Sequence, residues 1–328
     1  MISVVVPAFN EGDGIAQLHS RVTAAACAWA EDYELIVVDD GSRDDTLAVC
    51  RNLARDDPHF KILSLSRNFG HQAALSAGLA YAAGDWVAVL DADLQDPPEQ
   101  LKRFIDRCKE GFDVAYAIRA KREEGFVKRF AYFAYYRLLR KLAFIEMPLD
   151  AGDFCVMSRR AVDQLNSLPE RRRYLRGLRA WIGYRQTGLE YEREARAFGK
   201  AKYTFSKLLR LGFDGIFNFS YKPLQILMIL GHVIAFGTFL LALLVLAQYV
   251  GNITILGYNP HEARGWTSLI LAMLFLSGVQ LIGIGVLGEY VGRLFDEVKG
   301  RPIFLVKEEI NFASRPRTPA DLRADCGR

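Results

Sequence analysis

Short β-branched runs, each ending in a polar turn and passing into an amphipathic stretch, recur through the first 120 residues: Ile2–Val6, Glu34–Val38, Lys61–Leu65 and Trp86–Leu90. Helical stretches such as Asp44–Asp56 and His71–Ala83 alternate with them. Alternation of this kind predicts parallel βαβ units and an α/β fold with a Rossmann-like, mostly parallel sheet covered on both faces. A further strand is expected over Asp113–Ile118 and a helix over Ser158–Leu165. Ligands of such sheets sit at the carboxyl ends of the strands.

The pattern then changes. Leu224 to Val250 is a 27-residue run whose only polar side chains are Gln225, His232, Thr238, Gln248 and Tyr249, and Leu269 to Leu287 is 19 residues without a formal charge. A helix crosses a hydrocarbon core in roughly 20 residues, so two transmembrane helices are predicted, about 224–250 and 266–289; a buried helical hairpin of a soluble protein is the alternative. The expected division is a catalytic-type domain over 1–220, a two-helix hairpin over 221–290 and a C-terminal tail over 291–328, with Ala313 onward disordered. Phe126–Ile145 places Val127, Ala131, Leu138, Leu142 and Ile145 on one helical face and Arg129, Arg137, Arg140 and Lys141 on the other. That pattern fits an interfacial helix or one packed on the soluble domain, and 204–219 invites the same two readings.

Charge orients the hairpin. Lys200, Lys202, Lys207, Arg210 and Lys222 precede the first span, Arg293, Lys299, Arg301 and Lys307 follow the second, and the connecting loop has Arg264 alone among Lys and Arg. By the positive-inside rule a multi-pass protein of the inner, cytoplasmic membrane is expected, with both termini in the cytoplasm. MISVVVPAFNEGDG has no basic leader, so no signal peptide is expected. Cys27, Cys50, Cys108, Cys155 and Cys326 are odd in number without paired spacing, as in reduced cytosolic proteins. With 42 Lys+Arg against 38 Asp+Glu, the net charge of +4 argues against a nucleic-acid partner.

Chemistry gathers at the strand ends. The first strand runs into Pro7-Ala8-Phe9-Asn10-Glu11, the second into Asp39-Asp40-Gly41-Ser42, and the fourth into Asp91-Ala92-Asp93-Leu94-Gln95. Two carboxylates one residue apart, with an amide oxygen two further on, are hard ligands suited to Mg²⁺ or Mn²⁺ bridging a diphosphate. A Walker-type loop and a G-x-G-x-x-G fingerprint are both absent, which leaves phosphates to metal and basic side chains.

VVVPAFNE, VVDDGS, LSRNFG, ALSAGL and DADLQDPPE, in this order, resemble family 2 inverting glycosyltransferases of the GT-A fold. ALDAGDFCVMSR, LPERRRYLRGLRAWIGYRQ, GKAKY and GVLGEYVGRLFDEVKGRPIFLV extend the resemblance to the polyprenyl-phosphate branch, which includes bacterial undecaprenyl-phosphate (bactoprenol) glucosyltransferases and dolichyl-phosphate mannosyltransferases. The resemblance implies transfer of a hexose, most simply from UDP-glucose, to undecaprenyl phosphate at the bilayer. Donor alternatives are GDP-mannose and UDP-aminoarabinose; a processive polysaccharide synthase or an inactive scaffold fits less well. It assigns Pro7, Asn10, Glu11, Asp39, Asp40, Asn68, Asp91 and Arg119 to the nucleotide sugar, and Asp91, Asp93 and Gln95 to the metal, with Asp93 and Arg119 also catalytic. Asp153 becomes a base or an orienting group, and Lys202 and Arg193 meet the acceptor phosphate. Many relatives carry arginine where this chain has Cys155, so Arg159 or Arg160 is expected to take over its part. A homo-oligomer and a separate flippase are the implied partners.

Overall fold

The computed structural model describes residues 1–29, 31–119, 151–171, 173–192, 222–251 and 265–312. Four parallel strands form its centre: β1 (Ile2–Ala8), β2 (Tyr33–Asp39), β3 (Phe60–Leu65) and β4 (Trp86–Val89). They are joined by α1 (Gly12–Ala26), α2 (Thr46–Asp56) and α3 (His71–Tyr81), and α4 (Leu101–Lys109) follows β4. β1 and β2 are buried almost end to end, as strands covered by helices on both faces must be. Helix α3 lies so close to the sheet that a Cβ on Gly78 would stand 2.3 Å from Val5 Cγ1.

Beyond α4 come β5 (Val114–Arg119), β6 (Ala151–Ser158), α5 (Arg159–Ser167), α6 (Leu175–Trp181) and β7 (Gln186–Tyr191). The described strands make one eight-stranded sheet in the order β7-β5-β6-β4-β1-β2-β3-β8, where β8 is Val306–Ile310. β6 runs antiparallel to both β4 and β5, while β7 is parallel to β5. Because β6 is reversed, its first residues lie at the edge where β1, β2 and β4 end. That reversal brings Asp153 toward Asp91, along the register that pairs Val89 with Cys155.

The chain divides by its internal contacts into Met1–Asn218 with Arg301–Arg328, and Phe219–Gly300. The second unit holds α7 (Lys222–Gly251) and α8 (Trp266–Val298). Leu224–Gln248 and Phe275–Val298 are long and apolar enough to cross a membrane, at mean hydropathies of 2.5 and 1.4. Their large apolar side chains are exposed, Phe236, Phe275 and Leu281 among them. Helix α8 continues eleven residues past Leu287, where the uncharged run ends.

Within the segment 291–328, the described residues are helix to Val298 and then the edge strand β8, antiparallel to β3. Five residues with apolar side chains only at Val306 and Ile310 give too short an alternation to be seen beside their charges. β8 is held by Arg51 pairing with Glu308, by Tyr81 Oη donating to Glu309 at 2.6 Å, and by Asn311. Asn311 Nδ2 donates to the carbonyls of Ala54 and Phe60 at 2.8 and 2.9 Å. Phe126–Ile145, 204–219, the loop 252–264 and the segment from Ala313 lie outside the described residues.

Candidate active site

Three turns are stitched together at the carboxyl edge. Asn10, in the left-handed region at φ 53, donates its N–H to Ser42 Oγ at 2.9 Å and accepts the Arg43 N–H on Oδ1 at 2.9 Å. The Glu11 N–H donates to Thr46 Oγ1 at 3.0 Å. Pro7 sits opposite Val38 within β1. Asp39 accepts the Ser42 N–H and the Ser64 hydroxyl, each at 3.0 Å; Asp40 accepts the N–H groups of Phe69 and Gly70 at 2.7 and 2.9 Å. Both carboxylates are buried and brace this edge from within. Gly41 has φ 68, and a Cβ there would meet the Arg67 carbonyl carbon at 2.6 Å, so the turn passes directly over the exposed Asn68.

The Asp91–Gln95 turn is strained. Leu94 occupies the left-handed region at φ 57, a conformation L side chains adopt at a cost. The turn keeps it because Asp93 Oδ1 accepts the Gln95 N–H at 3.2 Å and Asp96, just beyond, accepts the hydroxyl of Tyr191 at the end of β7. Arg119 ends β5 in register with Tyr191, whose hydroxyl reaches Asp96; the Arg119 side chain is outside the described residues. So are Arg193 and Lys202.

Asp153 is enclosed, its side chain 8 % exposed. Arg176, the second residue of α6, grips it through Nε to Oδ1 at 2.7 Å and Nη2 to Oδ2 at 3.0 Å. His71 Nε2 approaches the same Oδ2 at 3.3 Å and Asp91 Oδ1 at 3.9 Å. Beside His71, Gln72 Oε1 accepts the Leu175 N–H at 2.8 Å, which fixes the start of α6 against the start of α3. A row of polar side chains therefore runs from Asp91 through His71 and Asp153 to Arg176.

The electrostatics follow. Enclosure alone would raise the Asp153 pKa, but Arg176 and His71 outweigh it and hold the carboxyl well below the usual range. Enclosure raises Asp91, with Asp96, Asp153 and Asp93 adding to the rise against His71. For His71, enclosure lowers the pKa and the Asp153 bond and neighbouring carboxylates more than reverse that.

Arg159 and Arg160 do not take the part expected of them. Both follow Ser158, which pairs with Trp86 at the far end of the sheet. Arg159 donates to the carbonyls of Ala82 and Gly84, and Arg160 grips Asp113 at 2.7 and 2.8 Å. The cations near Cys155 come from α6: the buried Arg179 acts on its thiol and donates to the Gly152 carbonyl at 3.5 Å. His71 and Arg176 escaped the sequence reading. His71 stands one residue beyond LSRNFG, and Arg176 falls in a basic run where nothing distinguishes it from its neighbours.

Among the described residues, no three His, Cys, Asp or Glu side chains form a preformed metal cage. Asp91 and Asp93 do offer two carboxylates on one strained turn, which fits Mg²⁺-type binding through one or two carboxylates completed by substrate phosphates and water.

The model of glycosyl transferase family 2 matches residues 3–165. An uncharacterised glycosyltransferase of Synechocystis is 42% identical over 308 residues, 94% of this chain and 95% of that protein. One from Bacillus subtilis is 40% identical over 314 residues, 95% of each chain. The bactoprenol glucosyl transferase of Shigella phage SfII is 39% identical over 308 residues, 94% of this chain and 97% of its own. Among solved structures, glucosyl-3-phosphoglycerate synthase of Mycobacterium tuberculosis superposes with a TM-score of 0.48 at 22% identity, over 66% of this chain and 76% of that one.

Proposed function

The chain belongs to glycosyl transferase family 2, and we propose that it transfers glucose from UDP-glucose to undecaprenyl phosphate with inversion at the anomeric carbon. One observation carries the acceptor: the likeness to the phage bactoprenol glucosyl transferase extends over 94% of this chain, through both long apolar helices. An enzyme acting on a water-soluble acceptor would have no use for those helices.

In this reading the donor lies over the carboxyl edge, with its nucleoside near Pro7, Asn10, Glu11 and the Asp39–Asp40 turn and its diphosphate over Asp91 and Arg119. Asp91 and Asp93, with Gln95 beside them, are the residues that would hold Mg²⁺ or Mn²⁺, which when bound neutralises charge on the departing diphosphate. An acceptor phosphate oxygen attacks the sugar C1 from the face opposite the diphosphate. The new O–C1 bond forms as the C1–O bond to UDP breaks, and the electron pair leaves on the β-phosphate oxygen. No covalent enzyme intermediate is needed, and no proton must move, because a phosphate monoester is already ionised near neutral pH. Arg193 and Lys202 join the acceptor side as basic residues preceding the first span.

The test is UDP release by the purified full chain with a panel of UDP- and GDP-sugars, with and without undecaprenyl phosphate. Release that needs both UDP-glucose and the lipid phosphate supports the reading; release only with GDP-mannose moves the donor assignment; indifference to the lipid overturns the acceptor.

A further inference from the structure

We propose that Arg176 binds the phosphate of the lipid acceptor, and that Asp153 serves the transfer as the positioning residue that aims the Arg176 guanidinium rather than as a proton acceptor. This rests on the glycosyl-transfer reading above and assigns that site's acceptor side.

The first ground is geometry. Both Asp153 oxygens are engaged, Oδ1 by Arg176 Nε and Oδ2 by Arg176 Nη2 and His71 Nε2. A carboxylate gripped edge-on by a guanidinium fork is locked in place, and so is the fork. The second ground is position. Three contacts, of 3.9, 3.3 and 2.7 Å, lead from Asp91 on the donor turn to Arg176. The Leu175–Gln72 bond pins the backbone one residue before Arg176, so the guanidinium is fixed from both ends. Its side chain keeps 29 % exposure while that of Asp153 keeps 8 %, so the solvent-facing member of the pair is the cation.

The third ground is energetic. Leu75, Leu79, Val89, Met157, Leu165 and Leu175 line the crevice in which the pair sits. An ion pair in apolar surroundings adds little net stability compared with well-packed apolar side chains, because desolvation offsets the attraction. The fold has no need of it there: β6 is held by its ladders to β4 and β5. A guanidinium is also a group suited to phosphate oxygens, and with its Nε–Nη2 edge on Asp153 it would meet the acceptor phosphate through its remaining N–H directions. The depressed Asp153 pKa agrees, since so weak a base is poorly suited to take a proton and the ionised acceptor has none to give.

The experiment uses the purified full chain in lipid nanodiscs with undecaprenyl phosphate and UDP-glucose. Three quantities are read for each variant: KM for the lipid phosphate, KM for UDP-glucose, and direct binding of the lipid phosphate without donor. Arg176→Gln should raise the acceptor KM roughly 10- to 100-fold, the loss expected for a hydrogen bond to a charged group, and weaken direct binding alike, with the donor KM within about threefold of wild type. Arg176→Lys should recover part of that loss, and Asp153→Asn should reproduce the acceptor defect while Arg176 is still present. Because Arg176→Gln takes the guanidinium from an enclosed carboxylate, the double variant Arg176→Gln/Asp153→Asn removes both charges; it should melt near wild type and still lose the acceptor. An unchanged acceptor KM with reduced kcat in Arg176→Gln, or equal rises in both KM values, overturns the proposal. Wild type that binds no lipid phosphate overturns the glycosyl-transfer reading as well.

Discussion

Leu94 pays for its left-handed backbone with no compensating glycine, and the Asx-type bond from the Gln95 N–H to Asp93 Oδ1 is part of what keeps it there. Asp93→Asn retains that acceptor oxygen and the side-chain volume while removing the charge. The variant should melt within about 1 kcal/mol of wild type, as a single retained bond allows, yet lose roughly 100-fold or more in UDP release. Circular-dichroism melting and turnover on one preparation check both halves, and near wild-type turnover would take Asp93 out of the metal assignment. By the same logic EDTA should abolish transfer and Mg²⁺ or Mn²⁺ restore it; full activity in chelator would refute the hard-ligand reading. Asp57 gives a stability test away from the site. Enclosure would raise its pKa, but His19 Nε2 at 2.8 Å and the His59 N–H at 2.8 Å outweigh that and lower it. The unfolded chain, titrating near pH ~3.9, then binds the proton more tightly than the folded chain does. This contribution is present above that pH and lost as pH falls through the lower folded value. Asp57→Asn should therefore cost about 1 kcal/mol at pH 7 and progressively less on acidification, read by urea melts at several pH values.

Elements that carry their own hydrophobic period were legible from the chain. β1, β2, β3 and β4 were expected within two residues of their ends, because each is a β-branched run closed by a turn. β6, β7 and β8 were not, since each depends on partners distant in sequence: GDFCVMS mixes polar and apolar positions, and QTGLEY and VKEEI alternate too briefly. The site divides the same way. Asp91 and Asp93 sit in one local turn and could be read, whereas the His71–Asp153–Arg176 contact joins three elements whose meeting is decided by the reversal of β6. β8 makes this dependence testable. Asn311 holds φ 65 and its amide donates to carbonyls of Ala54 and Phe60, so one side chain locks the strand's exit to the end of α2 and the start of β3. Asn311→Ala loses the bonds and keeps the backbone strain; Asn311→Gly loses the bonds and relieves it. Alanine should cost about 2–3 kcal/mol and glycine about 1 kcal/mol less than that, measured as unfolding free energies. Equal losses would show that the left-handed backbone carries none of the cost.

At the scale of the whole chain, the polypeptide leaves its first unit after Asn218, forms two long apolar helices, and rejoins the first unit's sheet at β8. A path that starts and ends in one folded domain must cross a bilayer an even number of times, which two spans satisfy and one span does not. The exposed apolar side chains on α7 and α8 need a covering, and helices of 30 and 33 residues are long enough for lipid to supply it. From the basic flanks at both ends of the hairpin we propose that the first unit faces the cytoplasm and that the loop between the two helices lies on the opposite side. Cys27, exposed in the first unit, and Cys326 should both resist a membrane-impermeant thiol reagent in intact cells, while a cysteine placed at Asn252 in a background without other cysteines should react. Lysis should then open Cys27 to the reagent. Labelling of Cys27 in intact cells with Asn252→Cys protected would reverse the orientation and separate Asp91 and Asp93 from cytosolic nucleotide sugar.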